Sequence, residues 1–259
     1  MTDPATSPPR KPRRWLRLAL LAVLLPVVAL GLTVAALADP RPEGTPGPEA
    51  EALAQAMMAA IDHDAWQQTR AVRWSFRGNR HHLWDRDRQL ARIQWDDVEV
   101  LVDLQTTTGR AWKNGKEAEG AKADKLVQKG YEAWVNDSFW LNPVSKAFDD
   151  GTERSLVSQD DGTRGLLVEY TTGGVTPGDA YLWLLGDDDL PVGWRMWTSN
   201  IPIGGARASW EGWTTLTTGV KVSTRHKLAI GTLEIGDPEG AASLAELEPG
   251  DDPFVPLLE

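Results

Sequence analysis

Apolar residues recur at every second position through most of the chain. Val72, Trp74 and Phe76 alternate with polar residues, and similar alternation continues to about residue 233. This spacing predicts β-strands that have one covered face and one solvated face. The clearest segment is 98–104, in which valine or leucine fills every second position and only Leu101 is out of phase. Short turns between these segments favour antiparallel pairing.

Two segments instead repeat their apolar residues every three or four positions, which predicts amphipathic helices. The first runs from 49 to about 66 and the second from 119 to 135, where Gly130 weakens it. The stretch 136–151 is rich in turn-forming residues. We therefore interpret Asn136, Asp137 and Ser138 as short polar side chains that satisfy backbone groups at the end of the second helix.

The order of these elements predicts an α+β domain over residues 49–236. It consists of a single curved antiparallel sheet, a half-barrel of roughly 9–11 strands, with two covering helices. The four prolines and two glycines of 39–48 predict a stiff polar linker before the domain. Residues 237–259 are predicted to form an acidic tail that packs Phe254 and little else.

The N-terminal region predicts that the domain works outside the cytoplasm. Residues 18–38 form an uncharged apolar run, long enough for a membrane-spanning helix, and the preceding region 1–17 carries five basic side chains and one acidic one. This charge bias keeps residues 1–17 inside. The length of this basic region favours a retained anchor. The Ala36-Leu37-Ala38 pattern leaves a cleaved signal peptide open.

Composition excludes several classes of function. The chain has no cysteine, which excludes a lipoprotein anchor, disulfides and thiolate chemistry. Its net charge is −10, and −14 after residue 38, so a nucleic-acid partner is not expected. Twelve of the 13 tryptophans follow residue 38. They are interpreted singly as core residues, and as a cavity lining where several share one face of the sheet.

Three groups of residues have side chains of the types that carry catalysis or bind metals. His81 and Asp85 would share a strand face and could approach one metal ion, but Arg80, Arg86 and Arg88 around them favour a solvated, charge-paired strand. Ser138, Asp137 and His226 could be combined into a triad, although the turn interpretation is simpler. The run 187–189 is read as a hairpin turn, because it lacks the spaced oxygens of a calcium loop. We expect no enzyme activity, metal or cofactor.

A stretch after the second helix carries a family resemblance. Asn136-Asp137-Ser138-Phe139-Trp140-Leu141, followed by Pro143, Lys146, Asp149 and Gly151, resembles a pattern in envelope relatives of the LolA-like family of periplasmic lipoprotein and lipid carriers. The hairpin 181–197 is also similar to the sheet of that family. The resemblance covers about residues 49–235. It implies a half-barrel whose concave face is covered by helices and holds acyl chains or another apolar ligand.

We therefore expect a non-catalytic envelope protein that binds a lipid, a lipoprotein acyl chain or a similar apolar ligand. The alternatives are an interaction module whose concavity is filled by its own helices and, third, an envelope hydrolase that uses residues 81–87. The oligomeric state is left open. The residues expected to line the ligand site are Val72, Trp74, Phe76, Val100, Val102, Trp194, Met196 and Trp210.

Overall fold

The structure is a computed structural model that describes residues 21–22, 24–26, 39–159, 162–172, 177–201 and 203–258. The predicted basic region 1–17 and nearly all of the predicted membrane segment 18–38 lie outside these residues. Within the described part of the chain, no helix is both long and apolar enough to cross a membrane.

A single large antiparallel sheet of 14 strands forms the centre of the described chain. The strands are Ala71–Phe76 (β1), Arg80–Asp85 (β2), Leu90–Trp95 (β3), Val98–Asp103 (β4), Gly109–Lys113 (β5), Lys116–Glu117 (β6), Thr152–Ser158 (β7), Arg164–Tyr170 (β8), Ala180–Leu185 (β9), Pro191–Trp197 (β10), Ala206–Ser209 (β11), Glu211–Thr215 (β12), Lys221–Leu228 (β13) and Gly231–Ala241 (β14). Their order is β6-β5-β4-β3-β2-β1-β14-β13-β11-β10-β9-β8-β7, and β12 pairs with β13 outside this path. The sheet therefore does not close into a barrel.

The predicted fold class and single open sheet are confirmed, but the strand number of 9–11 was too low. The alternating segment 207–213 predicts one strand, but it is interrupted at Trp210, which separates β11 from β12. The segment 220–233 likewise predicts one strand, but it is a hairpin that turns at 229–230. Strands β5 and β6 were missed because their short segments contain few alternating apolar residues.

Five α-helices and one 3₁₀-helix accompany the sheet in the described residues from 39 onward. They are Pro48–Ala60 (α1), His63–Gln68 (α2), Gly120–Leu141 (α3), the 3₁₀-helix Pro143–Lys146, Leu244–Leu247 (α4) and Val255–Leu258 (α5). The first predicted helix is divided at Asp62, whose backbone is left-handed (φ 58°) and whose side chain accepts a hydrogen bond from the Ala65 N–H and caps α2. The second continues through Asn136, Asp137 and Ser138, so their interpretation as turn residues was wrong.

The two faces of the sheet are covered by different parts of the chain. Helices α1 and α3 cover the face that we call the inner face, where the side chains of Val72, Trp74 and Phe76 lie. The opposite, outer face is covered over β1–β4 by the C-terminal segment, in which Leu247 and Phe254 are buried. The predicted acidic tail thus begins inside β14 and packs more than Phe254.

The linker predicted at 39–48 does not behave as a free spacer. The Asp39 carboxylate pairs with Arg195 on β10, and Arg41 pairs with Glu169 on β8 at 2.9 Å. Thr45 then forms a two-way backbone bridge with Leu156 on β7. The segment therefore crosses the outer face from β10 to β7 before α1 begins on the inner face.

Candidate functional site

All eight predicted ligand residues lie on the inner face of the sheet. Each has an exposed fraction of 3% or less, and together they belong to three apolar clusters. Val100 and Val102 lie with Val127 of α3; Val72, Trp74 and Phe76 lie near α2 and the end of α3; Trp194, Met196 and Trp210 lie beneath α1 and α3. The sequence pattern therefore identified the covered face.

One neighbour of the predicted residues is not on that face. Strand alternation predicts Val192 on the same apolar stripe as Trp194 and Met196, but the residue is 52% exposed. The pairing of β10 with β9 shifts by one residue between Pro191 and Gly193. A one-residue shift turns a side chain to the opposite face, which explains the error.

Aromatic rings form a continuous layer in the part of the inner face around Trp194. Ring centroids lie 4.9 Å apart for Trp194 and Trp210, 4.9 Å for Trp183 and Trp194, and 4.8 Å for Tyr181 and Trp194. The His226 ring lies 4.3 Å from that of Trp210. These separations are typical of packed aromatic pairs.

Helix α3 packs on the inner face, and its last turns contact the aromatic layer through Phe139 and Trp140. It contributes partly buried aromatic side chains to all three inner clusters: Tyr131, Trp134, Phe139 and Trp140. Of its 22 residues only four are fully buried. The helix therefore covers the apolar face with side chains that are themselves partly exposed.

One buried carboxylate fastens α3 to the sheet. Asp137 is fully buried and accepts hydrogen bonds from Arg80 Nε (2.6 Å), Arg80 Nη2 (2.8 Å), His82 Nε2 (2.8 Å) and Asn136 Nδ2 (2.8 Å). Burial alone would raise the pKa of Asp137, but these hydrogen bonds, led by that of His82, outweigh it and lower the pKa. Burial also lowers the pKa of His82, so the ring is neutral and donates through Nε2. Sequence analysis missed this contact.

Several nitrogen atoms beneath the helices have no hydrogen-bond partner in the structure. They include the indole Nε1 of Trp74, Trp194 and Trp210, and Nε2 of His226. Buried polar atoms are normally paired, so such a group calls for an explanation. The inner face is therefore mostly apolar but carries buried polar atoms that have no partner in the protein.

A groove of about 270 Å³ lies on the outer face. Its lining includes Arg73 and Glu239, which pair with each other at 2.9 Å, and Arg92, which pairs with Glu248 at 3.0 Å. Both arginines of the groove thus already have partners in the C-terminal part of the chain.

No protein-family profile and no curated protein matches this chain. Among solved structures, the chain is similar to the crystal structure of a DUF1329 family protein from Desulfovibrio piger ATCC 29098. That similarity has a TM-score of 0.40 and 11% sequence identity, and it covers 77% of this chain and 97% of the other. At this level it supports no functional argument, and the LolA-like resemblance stays a prediction.

The structure separates the residues of the candidate triad and of the candidate metal pair. Asp137 contacts His82, whereas His226 Nδ1 lies 3.1 Å from the Ser209 carbonyl oxygen, so the supposed triad is not assembled. The Asp85 carboxylate binds Arg88 Nε at 2.6 Å and is not directed at His81 as a ligand pair. Among the described residues, no group of three His, Asp or Glu side chains is placed to hold a metal ion.

Proposed function

We propose that this protein binds a lipid or another apolar molecule between the inner face of its sheet and helix α3, on the extracytoplasmic side of a membrane. The proposal has no catalytic step and no cofactor. It agrees with the LolA-like resemblance of residues 136–151, which implies the same location for a ligand. The alternative is an interaction module in which the helices fill the concavity permanently.

The observation that carries the proposal is the way α3 covers the sheet. Three apolar clusters adjoin beneath one helix, and the wall that the helix supplies is only partly buried. Four of its 22 residues are buried, and one of them is the charged Asp137, so the helix has less apolar contact to lose than a core strand, although its displacement also breaks the Asp137 ion pair. Displacing α3 would expose one continuous apolar slot.

The energetics favour a long acyl chain in such a slot. Removing each CH₂ group from water is worth about 0.8 kcal/mol, so a chain of about ten such groups gains roughly 8 kcal/mol. That gain has to offset the loss of contacts between α3 and the sheet and the entropy lost on association. A short apolar solute would not provide enough burial to move the helix.

An engineered disulfide that fixes α3 to the sheet tests whether the ligand binds beneath the helix. The native chain contains no cysteine, so no other thiol can interfere. A Cβ atom at position 130 would lie 3.0 Å from Val100 Cβ, slightly inside the usual separation of about 3.5–4.5 Å in disulfides. The double variant Val100→Cys/Gly130→Cys should therefore join after a small outward shift of α3. Quenching of tryptophan emission by a brominated acyl chain reports binding in both redox states.

The reduced double variant should be quenched and the oxidised one should not, with quenching restored by a reductant. The single variant Gly130→Cys, treated with the same oxidant, is the matched control and should be quenched in both states. Equal quenching of the oxidised and reduced double variant would exclude binding beneath α3.

A specific observation favours the filled module as the second candidate. All eight predicted ligand residues are already packed against protein side chains, each at most 3% exposed. Lipid mass spectrometry of the full chain, extracted from its native membrane, distinguishes the two candidates. A bound lipid in near-stoichiometric amount supports lipid binding beneath α3. An empty protein whose tryptophan emission and melting temperature do not change with added lipid supports the filled interaction module.

A further inference from the structure

Three side chains that each carry an unpartnered nitrogen atom have neighbouring rings beneath the end of α3. The atoms are Trp194 Nε1, Trp210 Nε1 and His226 Nε2, and each residue is at most 3% exposed. The Trp210 ring contacts both of the others, with centroid distances of 4.9 Å to Trp194 and 4.3 Å to His226. An unsatisfied buried donor or acceptor is unfavourable, so a ligand that pairs with these atoms would gain affinity from them.

The hydrogen-bonding character of each atom follows from its surroundings. His226 Nδ1 lies 3.1 Å from the Ser209 carbonyl oxygen, which can only accept, so Nδ1 carries the hydrogen and donates it. Burial lowers the pKa of His226 to about 4, so the ring is neutral at pH 7. Nε2 is therefore an acceptor, whereas an indole Nε1 is a donor only.

We propose that Trp194, Trp210 and His226 form a subsite for a neutral hydroxyl group on an otherwise apolar ligand. A hydroxyl offers one donor and two lone pairs, which matches one acceptor and two donors. The inference rests on the proposed function, because it specifies the head group of the molecule that binds beneath α3. The ligand class is thus a long-chain alcohol or a lipid that retains a free hydroxyl.

The charges around the subsite argue against an ionised carboxylate as the head group. The charged side chain whose field reaches His226 is Glu211, and it is negative. Arg195, Arg225 and Lys227 lie on the outer face, where they pair with Asp39, Glu234 and Glu211 respectively. A buried carboxylate would lose its hydration here without a compensating cation, which is strongly unfavourable.

Trp140 on α3 is the wall of the subsite that can move. Its ring lies 4.9 Å from Trp194 and 5.1 Å from His226, and its side chain is only partly buried. The sheet residues of the subsite lie on three paired strands or their ends, whereas Trp140 belongs to the last turn of a helix. Displacing α3 would therefore open the polar atoms and the apolar slot together.

Three ligands of equal chain length test the proposal on the full chain: hexadecane, hexadecan-1-ol and hexadecanoate. Competition against the brominated acyl chain gives their affinities, and the indole N–H resonances of nitrogen-15-labelled tryptophan report hydrogen bonding. The alcohol should bind at least about tenfold more tightly than the other two, because it pairs otherwise unsatisfied groups. Only the alcohol should move the resonances of Trp194 and Trp210 downfield.

The variants Trp194→Phe and Trp210→Phe remove one donor each and should each lower the preference for the alcohol. Trp213→Phe is the matched control, since Trp213 Nε1 already donates to the Pro191 carbonyl oxygen at 3.1 Å, and the preference should be retained. Equal affinity for all three ligands, without movement of the two resonances, would overturn the hydroxyl subsite and leave the proposal of lipid binding beneath α3 intact. Absence of binding by all three would overturn both proposals.

Discussion

Arg80 on β2 holds the carboxylate of Asp137 on α3 with two hydrogen bonds, 2.6 Å from Nε and 2.8 Å from Nη2, across 57 positions of sequence. Removing one partner of a buried ion pair leaves the other charge uncompensated, which costs about 3–5 kcal/mol. Asp137→Asn should therefore lower the free energy of unfolding by about 3 kcal/mol, measured by urea denaturation at pH 7.

The matched control for this variant is Asp149→Asn. Asp149 also pairs with a cation, Lys146 at 3.3 Å, but the carboxylate is 49% exposed. Exposed pairs contribute little, so this change should stay within about 0.5 kcal/mol. Similar losses in both variants would mean that Asp137 is not buried in solution as it is in this structure.

Close packing between Gly130 and Val100 leads to a second prediction. An added Cβ at position 130 would come within 2.9 Å of Val100 Cγ1. Alanine favours a helix over glycine by about 1 kcal/mol, but overpacking costs about 1–3 kcal/mol. Gly130→Ala should thus destabilise by roughly 1 kcal/mol.

A double-variant cycle shows whether the contact with Val100 causes the loss of stability in Gly130→Ala. Combined with Val100→Ala, which removes the methyl groups in the way, the loss should be smaller than the sum of the two single losses. Additive losses would indicate that the helix and the strand are further apart.

The buried neutral state of His226 predicts a pH dependence of stability. Its pKa is about 4 in the folded protein against 6.5 for the free side chain, so between these values only the unfolded chain binds the proton. Stability should therefore be complete above pH 6.5 and fall as the pH drops toward 4, by up to about 1.4 kcal/mol per pH unit.

Comparison with His226→Asn isolates this contribution, because the Asn amide can still donate to the Ser209 carbonyl oxygen but does not titrate. His82 and His63 also have pKa values lowered by burial, but they are present in both proteins. The variant should lose part of the slope between pH 6.5 and 4.5. Parallel curves would show that His226 is not buried as a neutral ring.

Two neighbouring positions in β4 predict opposite responses to substitution. Val100 is fully buried under α3, whereas Glu99 faces outward and accepts a hydrogen bond from Gln94. Val100→Glu would bury an unpaired carboxylate and should destabilise by several kcal/mol. Glu99→Val should stay within about 0.5 kcal/mol. Equal effects in urea denaturation would contradict the assigned faces.

The charge distribution at the N-terminus predicts the side of the membrane on which the domain lies. Alkaline phosphatase fused after Glu259 should be active, because this reporter requires export and the basic residues precede the segment 18–38. A cytoplasmic reporter such as β-galactosidase, fused at the same position, is the control and should be inactive. The opposite pattern would contradict an extracytoplasmic domain.

The sequence predicted the covered side chains correctly where the alternation within one strand alone determines which face they lie on. Every second residue from Val98 to Val102 is buried under α3, because strand geometry turns alternate side chains to the same face. The out-of-phase Leu101 is buried too, against the C-terminal segment on the outer face. Its cover comes from residues far along the chain, so local alternation could not reveal it.

The sequence predicted which face of the sheet is covered, but not the polar contacts that Asp137 and His226 make there. Asp137 looked like a turn residue because aspartate is favoured there, yet the partners that hold it in mid-helix lie on β2. The sequence suggests His226 only as a distant member of a triad. Its position beside Trp210 depends on the pairing of β13 with its neighbours. Such contacts follow from tertiary packing, which no short-range pattern encodes.

Residues 39–45 also protect one edge of the open sheet from pairing with other chains. The strand order of this open sheet ends at β6 and β7, and the free backbone groups of such edge strands can recruit a strand from another molecule. At one end, β6 is only two residues long and bears the exposed Lys116 and Glu117. At the other, Thr45 occupies the backbone groups of Leu156 in β7, at 2.8 and 2.9 Å. A soluble form of the domain should therefore begin at Asp39, since a start at Glu49 would uncover the longer edge and invite aggregation.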